Sequence, residues 1–501
     1  MILLLSIVCH ASISAAQSLS PSTKWHWDKG QIVVDTPVRP AGQPTAIALC
    51  RPEMNCVRIG FAGLGMRGTS AVARYTYING VDIKGLCDYD KERADRCQQY
   101  LRKRDLPPAA VFYGENGYKT LCEREDIDLI YIATDWNHHF PIAKYALEHG
   151  KNVAIEVPAA MNLEQCWALI NLAEAKQLHC MMLENCCYDW YEMTTLNMAQ
   201  NGLFGEVLRA EGAYIHTLDP YWDEYWKDPN DKTQLGWRMI YNRDNRGDIY
   251  ATHGLGPVAQ ALDIHRGDRF TTLVAMDTKS VHGKEYVEKI TGEECSNFRN
   301  GDHTTTLMRT SGGKVVEIQH NVMNPQPYNR LYKLTGTKGY ATKYPEEHYS
   351  FEHSFISAEE QQKLEREYEH PILKKYGVDA KEVGGHGGMD YIMDSRLIYC
   401  LLNGLPLDID VYDLAEWCCL AELGSLSMDN NSASVAFPDF TRGHWNDRQG
   451  FRHAYASPEQ EKAKEEIEVI LIAKAFTEKL KEETIKQKLW KKFDKAQKHT
   501  K

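Results

Sequence analysis

A glycine-rich turn near residue 63 has the residue types and spacing needed to hold a phosphate. The apolar run Val57–Ala62 leads into Gly63, Gly65 and Gly68, which follow the pattern Gly-x-Gly-x-x-Gly. The first glycine permits a tight turn, the second lets backbone approach a pyrophosphate, and the third lets a helix pack on a strand. Residues 69–78 predict that helix, whose first N–H groups and partial positive charge would face the phosphates.

An acidic residue downstream of the turn indicates which dinucleotide is bound. A second apolar run, residues 81–87, ends at Asp88, about 20 residues beyond the glycines, where a carboxylate normally holds the ribose diol. Because an acid there repels a 2′-phosphate, the pair predicts NAD rather than NADP. A glycine turn alone needs no ligand, so the prediction of NAD binding depends on the turn and Asp88 occurring together.

The composition favours a globular protein of more than one domain. The chain has 501 residues, of which 43% are hydrophobic and 25% charged, values typical of soluble proteins. This length suggests two domains or one elaborated domain. The net charge is −11 and no basic stripe runs along the chain, which argues against a nucleic-acid partner.

The N-terminus resembles a secretion signal. Residues 1–16 contain an apolar core and end in Ser14, Ala15 and Ala16, small residues typical of a signal-peptidase site. The segment is too short to span a bilayer, so we expect no membrane attachment. No Lys or Arg precedes the apolar core. We therefore expect export to the periplasm or medium, the alternative being a cytoplasmic protein with a start-site artefact or a buried N-terminal segment.

The cysteines predict packed thiols rather than a metal centre. Fourteen are present, many of them inside apolar runs, and no C-x-x-C pair has zinc spacing. Buried free thiols that behave as small hydrophobic side chains explain this pattern. We expect no disulfide framework and no metal ligand set.

Alternating strand and helix patterns predict a doubly wound α/β domain over residues 56–190. Strands are predicted at 128–134, 152–157 and 179–183, with helices at 141–149 and 163–178. Strands separated by helices of this length form right-handed parallel crossovers. Residues 17–55, which are proline-rich and aperiodic, predict an arm that packs on the surface.

The pattern of predicted elements then changes and predicts a second, α+β domain over residues 191–450. Strands are expected without intervening helices at 206–218, 270–279, 303–310, 314–321 and 331–336, which favours a large, open, mostly antiparallel sheet. Helices are expected at 391–402 and 414–427, returning to the first domain. The tail, 451–501, predicts a charged helix with a solvated face, the alternatives being contact with a partner helix or a membrane surface.

Eight segments together resemble one family. They are residues 63–68 (GLGMRG), 133–139 (ATDWNHH), 156–160 (EVPAA), 182–188 (MLENCCY), 212–216 (GAYIH), 250–257 (YATHGLGP), 301–306 (GDHTTT) and 384–390 (GGHGGMD). Through these segments the chain is similar to glycoside hydrolase family 109, the NAD-dependent α-N-acetylgalactosaminidases, within the glucose–fructose oxidoreductase and inositol dehydrogenase superfamily. The resemblance covers about residues 25–446.

The resemblance implies a hydrolase that uses NAD without consuming it. Oxidation at C3 of the sugar would make the C2 hydrogen acidic, elimination would expel the aglycone from C1, water would add, and the hydride would return. This route differs from the two-carboxylate scheme of ordinary glycosidases, and the sequence shows no convincing carboxylate pair. The superfamily's sugar dehydrogenases usually carry Glu-Lys-Pro where this chain has Glu156, Val157 and Pro158. Because Val157 cannot move a proton, other side chains must do so.

The resemblance also implies residue roles. Tyr250 and His253 are the expected acid/base residues. The cofactor side, including the turn, is expected to comprise Gly63, Gly65, Met66, Arg67, Gly68, Asp88, Trp136, Asn137, His138, His139, Glu156, Val157 and Asn185. The substrate side is expected to comprise Tyr214, Arg238, Tyr250, Ala251, Thr252, His253 and Tyr328.

Structural alternatives stay open at this point. His253 could be a hydrogen-bonded structural histidine, Tyr250 could simply pack, and Glu156 could hold loop backbone. For the whole protein, the alternatives are an NAD-dependent sugar dehydrogenase and a non-catalytic, NAD-bound sugar-sensing protein.

The expected partner is a glycan or glycoside with terminal N-acetylgalactosamine. A homo-oligomer is compatible with the sequence.

Overall fold

The structure is a computed structural model that describes residues 24–218, 222, 235–459, 486–492 and 494–495. The predicted signal at residues 1–16 and most of the predicted helical tail lie outside these residues. Among the described residues, no helix combines the length and apolar character needed to cross a lipid bilayer.

Sixteen strands and fourteen helices are described. The strands are β1 (Trp25–Asp28), β2 (Gln31–Val34), β3 (Val57–Ala62), β4 (Val81–Asp88), β5 (Ala110–Tyr113), β6 (Leu129–Ile132), β7 (Asn152–Ile155), β8 (Cys180–Met182), β9 (Val207–Ile215), β10 (Phe270–Asp277), β11 (Thr304–Thr310), β12 (Val315–Asn321), β13 (Lys333–Gly336), β14 (Tyr340–Thr342), β15 (His348–Ser350) and β16 (Val435–Ala436). The helices are α1 (Met66–Tyr75), α2 (Lys91–Lys103), α3 (Gly117–Cys122), α4 (Trp136–Glu148), α5 (Leu163–Lys176), α6 (Trp190–Gln200), α7 (Trp237–Asp244), α8 (Thr252–Ala261), α9 (His282–Thr291), α10 (Ala358–Glu367), α11 (Pro371–Val383), α12 (Met389–Leu402), α13 (Val411–Cys418) and α14 (Leu420–Asp429).

The first sheet confirms the predicted doubly wound domain. Its six strands are all parallel, in the order β5-β4-β3-β6-β7-β8. Phe61 of β3 is fully buried, and its ring contacts Tyr75 of α1 and Tyr131 of β6 at centroid distances of 5.3 and 5.2 Å. This packing fixes α1 over the sheet. The turns after β3, β4, β6, β7 and β8 therefore gather at one edge, where ligands bind in such sheets.

Two helices of this domain begin earlier than their sequence patterns predicted. α1 starts at Met66 rather than residue 69, and α4 starts at Trp136 rather than residue 141. Asp135 caps α4 by accepting the backbone N–H of Asn137 at 3.0 Å. Pro141 lies inside the helix, and its missing N–H removes only one backbone hydrogen bond. The proline looked like a helix start because Pro is favoured there.

The second sheet confirms the predicted open, mostly antiparallel arrangement. It contains ten strands in the order β1-β2-β16-β10-β11-β12-β9-β13-β14-β15. Within this sheet, only the pairs β9–β12 and β2–β16 are parallel among the described strands.

The expectation that no helices interrupt these strands was wrong. Helices α7, α8 and α9 lie between β9 and β11. α8 packs so closely on β9 that a Cβ on Gly212 would lie 2.1 Å from the carbonyl oxygen of Gly254. The same glycines, with Pro257, made this segment look like a turn, because Gly and Pro are poor helix formers. Tertiary contact overrides that preference here.

The predicted surface arm, residues 17–55, is partly a sheet component instead. β1 and β2 form a hairpin, and Ile32 of β2 is fully buried beside β16. Further along, Arg39 pairs with the buried carboxylate of Glu174 on α5 at 2.8 Å. These contacts fasten the arm to the second sheet and to a helix of the first domain. The sequence did not reveal the strands because an alternating apolar pattern of only four residues is too short to indicate one.

The described part of the C-terminal tail contacts the first domain. Residues 486–492 are helical, as the sequence predicted, whereas residues 451–457 of the predicted tail have no regular secondary structure. Arg102 of α2 pairs with Asp494 at 2.6 Å, and its guanidinium lies 4.2 Å from the ring centre of Trp490. The tail prediction for the intervening residues lies outside the described part.

We predict that Gly68→Ala lowers the stability of the protein. A Cβ at this position would lie 1.8 Å from the carbonyl oxygen of Gly63, and overpacking typically costs about 1–3 kcal/mol. Thermal unfolding followed by circular dichroism should show a lower Tm. Gly65→Ala is the matched control, because Gly65 has φ −69° and a Cβ there meets no atom within 4 Å. Equal Tm values for both variants would contradict this account of the turn.

Candidate active site

The glycine turn leaves open space where a phosphate would approach. Gly63 has φ +89°, and a Cβ there would lie 2.6 Å from the backbone of Ala133. A Cβ on Gly68 would collide with Gly63, whereas one on Gly65 would meet nothing. Gly63 and Gly68 are thus required by packing inside the protein. Gly65 is not, which agrees with its predicted role of letting a ligand approach the backbone.

The N-terminus of α1 fits an anionic group. Helices α2, α4 and α5 are capped by their own side chains, from Asp90, Asp135 and Asn162. α1 has Gly65 at the same position, with no side-chain cap and no acidic residue in its first turn. Its unpaired N–H groups and dipole therefore suit a pyrophosphate. Met66, the first helical residue, is 60% exposed beside this turn.

Asp88 is fixed in the position expected for a ribose-binding carboxylate. It ends β4 and is buried. One carboxylate oxygen accepts the backbone N–H of Leu64 at 2.6 Å, and the other accepts that of Asp90 at 2.9 Å. The side chain thus joins the glycine turn to the end of the neighbouring strand. Together with the uncapped helix, this donor and acceptor set fits NAD.

Arg67 forms ion pairs with two carboxylates of the protein itself. Its Nη2 lies 2.8 Å from Oε1 of Glu156, and its Nη1 lies 3.0 Å from Oδ2 of Asp390. Asn185 donates from Nδ2 to the other Asp390 oxygen at 2.6 Å. Arg67, Glu156 and Asn185, all predicted on the cofactor side, are therefore brought together. Asp390, which sequence reasoning missed, is the residue that connects Arg67 to Asn185.

The motif at residues 136–139 is divided between three environments. Trp136 is buried and stacks on Tyr250 at 5.5 Å between ring centres, so it contacts the substrate-side cluster. Asn137 and His138 are exposed, and Nδ1 of His138 lies 2.6 Å from Asp135. His139, also predicted on the cofactor side, is buried, and its Nδ1 and Nε2 lie 2.8 and 3.1 Å from the carbonyl oxygens of Pro158 and Thr134. Burial lowers the pKa of His139, so the neutral ring donates its single N–H to one of these two carbonyls.

The predicted substrate residues form one aromatic cluster. Tyr214 of β9 lies 4.7 Å from Tyr250 and 5.4 Å from His253 between ring centres. The ring of Tyr328 meets Tyr214 edge to face at 6.4 Å. The guanidinium of Arg238, on α7, lies 4.6 Å from the ring centre of Tyr250. Four elements thus contribute to a single site.

Three further predicted residues are buried. Val157 follows Glu156 after β7. Ala251 and Thr252 lie between Tyr250 and His253 at the start of α8.

A buried carboxylate beside His253 was missed by the sequence analysis. Glu184 is fully buried, and its Oε1 lies 2.6 Å from Nδ1 of His253. Burial alone would raise the pKa of Glu184, but the neighbouring His253 lowers it below the ordinary value. An ionised carboxylate there keeps the proton on Nδ1 and leaves Nε2 for chemistry. The available signal was an acid directly after a strand of a doubly wound sheet.

His216 was also missed, although it lies within one of the family segments. Its Nδ1 is 3.0 Å from the hydroxyl oxygen of Tyr214. Burial lowers the pKa of His216 to about 4, so the ring is neutral near pH 7. Burial raises the pKa of Tyr214 and, far more strongly, that of Tyr250. Both tyrosines therefore keep their protons and can donate them in hydrogen bonds.

Comparisons with known proteins agree with this arrangement. Residues 57–184 match the profile "Oxidoreductase family, NAD-binding Rossmann fold" and residues 188–447 match "Glycosyl hydrolase 109, C-terminal domain". The chain is 64% identical over 498 residues to "Glycosyl hydrolase family 109 protein 5" of Phocaeicola vulgatus, covering 96% of this chain and 95% of the relative. It is 53% identical over 473 residues to "Glycosyl hydrolase family 109 protein 1" of Bacteroides thetaiotaomicron, covering 91% and 99%.

Solved structures share the fold at low identity. A levoglucosan dehydrogenase in complex with NADH and L-sorbose has a TM-score of 0.59 and 16% identity, covering 77% of this chain and all of that one. A putative myo-inositol dehydrogenase from Sinorhizobium meliloti has a TM-score of 0.53 and 14% identity, covering 76% and 100%. The fold and turn geometry agree with NAD as the cofactor, and the similar proteins show the family. The chain belongs to glycoside hydrolase family 109 and is an NAD-dependent glycoside hydrolase.

Proposed function

We propose that this enzyme removes terminal α-linked N-acetylgalactosamine from glycosides, by oxidising and then reducing the same sugar on retained NAD. The observation that carries the proposal is the position of His253. It is held by Glu184 at 2.6 Å and lies beside Tyr214 and Tyr250. The choice of sugar and anomer is supported by the resemblance to the family.

The chain's own residues must move protons in this reaction. Bound NAD supplies a reversible hydride acceptor. In the corresponding sugar dehydrogenases, a lysine at the position of Val157 moves the proton of the oxidised hydroxyl, and valine cannot do so. The pair formed by Tyr214 and the neutral His216 can take over this step. Tyr214 would bind the sugar hydroxyl, and His216, 3.0 Å from its oxygen, would accept the proton.

His253 and Tyr250 would act around C2 and the glycosidic oxygen. With Nδ1 directed to Glu184, the Nε2 atom of His253 is the one that can exchange protons with the substrate. Tyr250 keeps its hydroxyl proton because burial raises its pKa. Two buried carboxylates flank this cluster, Glu156 and Glu184, and each is already engaged, by Arg67 and by His253. They therefore orient the site rather than attack the sugar.

A first prediction concerns the cofactor. Asp88→Ala should weaken NAD binding by about 1–3 kcal/mol, the usual penalty for a lost buried polar contact. Calorimetric titration of the apoprotein with NAD measures this loss. Asp82→Ala is the matched control, because Asp82 lies at the other end of β4, where it pairs with Lys84 at 2.5 Å. Unchanged NAD affinity in Asp88→Ala would refute the assignment to the ribose.

A second prediction concerns the reaction. Purified enzyme should release nitrophenol from p-nitrophenyl N-acetyl-α-galactosaminide without added nucleotide and without net NADH. In D₂O the product sugar should carry deuterium at C2, since that proton is removed and replaced from solvent. Mass spectrometry and proton NMR measure the label. Stoichiometric NADH would identify a sugar dehydrogenase instead, and unlabelled product would exclude the elimination route.

A third prediction concerns Glu184 as a positioning residue. Glu184→Gln should reduce kcat about 10²–10⁴-fold, because the amide no longer fixes the tautomer of His253 or balances its charge. Glu416→Gln is the matched control. That residue is a second buried carboxylate beside a histidine, with 3.1 Å between its Oε2 and Nε2 of His265.

Both variants replace a buried carboxylate by an amide, so their losses of Tm should be similar. Only Glu184→Gln should reduce turnover, with NAD content unchanged in both. Equal kcat values for the two variants would show that the Glu184–His253 contact is merely structural.

A further inference from the structure

A cavity separate from the active site lies at the edge of the Rossmann sheet where its parallel strands begin, opposite the edge that carries the active site. Its volume is about 350 Å³, within the range of small-molecule sites. Residues 178–180, at the amino end of β8, form one wall, whereas Glu184 and Asn185 follow the carboxyl end of that strand. The other walls come from residues 46–49, 265–266, 406–408, 410–411 and 448–454. None of the chemistry proposed above uses this cavity.

The side chains around the cavity leave an excess of positive charge. Arg448 and Arg452 line it, are exposed, and form no ion pair within the part of the chain that the structure describes. Asp408 pairs with Arg396 at 2.7 Å. Arg266, which also lines the cavity, is shared between Asp413 at 2.7 Å and Asp410 at 3.6 Å, so two exposed arginines face one carboxylate that has no arginine of its own. A negatively charged ligand is therefore favoured over a neutral or cationic one.

Three buried histidines line the same cavity with ring nitrogens that lack hydrogen-bond partners. These are Nε2 of His179, Nδ1 of His265 and both nitrogens of His453, judged over the described residues. All three side chains are more than nine-tenths buried. Buried polar atoms almost always have a partner, so water or a bound molecule is expected to supply it.

The protonation of the histidines agrees with this requirement. Burial lowers the pKa of His179 to about 3 and that of His453 to about 4. These two rings are therefore neutral near pH 7, and each offers one N–H donor and one acceptor nitrogen. Such groups suit the hydroxyls of a polyol or sugar. Leu49, Leu178 and Phe451 add apolar wall, which suits the carbon face of the same molecule.

We propose that this cavity is a second ligand site, which binds an acidic molecule of about monosaccharide size. Its carboxylate or phosphate lies between Arg448 and Arg452 at the mouth, and its hydroxyls reach the histidines inside. The site is separate from the glycosidase centre, so the ligand need be neither a substrate nor a product of that centre.

Calorimetric titration of the NAD-loaded, full-length protein tests the proposal. The probes are D-glucuronate, which carries a carboxylate, D-glucose 6-phosphate, which carries a phosphate, and neutral D-glucose. We expect one equivalent of at least one acidic sugar to bind, at least about tenfold more tightly than D-glucose. The stronger of the two acidic probes identifies the anionic group. Failure of both acidic sugars to bind, or equal binding of D-glucose, would overturn the proposal.

Variants locate the binding. The double variant Arg448→Gln/Arg452→Gln should weaken binding of the acidic sugar at least about tenfold. Arg366→Gln, on the exposed surface of α10, is the matched control and should not change it. His253→Ala should also leave it unchanged, because His253 belongs to the other site. Unaltered binding in the double variant, or lost binding in His253→Ala, would contradict a separate site.

Discussion

The geometry of the active site depends on one buried carboxylate, that of Asp390. It lies 3.0 Å from Arg67, 3.5 Å from Arg74 and 2.6 Å from the amide of Asn185. Burial alone would raise its pKa, but His386 and the two arginines lower it, so it stays ionised. Asp390 belongs to α12, Arg67 and Arg74 to α1, and Asn185 to the turn after β8. Because an unpaired charge in this place would be strongly destabilising, these three elements are held in one arrangement.

Close backbone contact joins the second half of the site to the first. Gly212 on β9 and Gly254 on α8 approach so closely that a Cβ on either would lie within 2.4 Å of the other's segment. This contact brings Tyr214 of the sheet beside His253 of the helix. Glu184, at the edge of the Rossmann sheet, then fixes the histidine ring from the other side. The reacting groups thus depend on packing between the two sheets rather than on either sheet alone.

Much of the fold was predictable because its causes are local. A strand, a glycine turn and a helix follow one another within a dozen residues at position 57, and buried strands recur with helices between them, so a doubly wound parallel sheet was predictable. The order of its strands and the short strand β5 were not predicted and came from the structure. The second sheet was predictable as a class. Helix α8 was not, because its glycines and proline disfavour an isolated helix and only contact with β9 stabilises it. The hairpin β1–β2 was not predicted either, because it is stabilised by pairing with β16, which joins segments about 400 residues apart.

The sequence by itself determined the cofactor, the family and the residue types of the site. Gly63 and Asp88, the residues predicted for the NAD site, are recognised from local spacing, and Tyr250 and His253 lie three residues apart at a helix start. Only the tertiary structure decided how these groups are held and protonated. Glu184 is 69 residues from His253 in the chain, and the pKa of each group depends on burial and on neighbours from other elements. A linear pattern contains the donors and acceptors, but distance and desolvation, which assign their roles, exist only after folding.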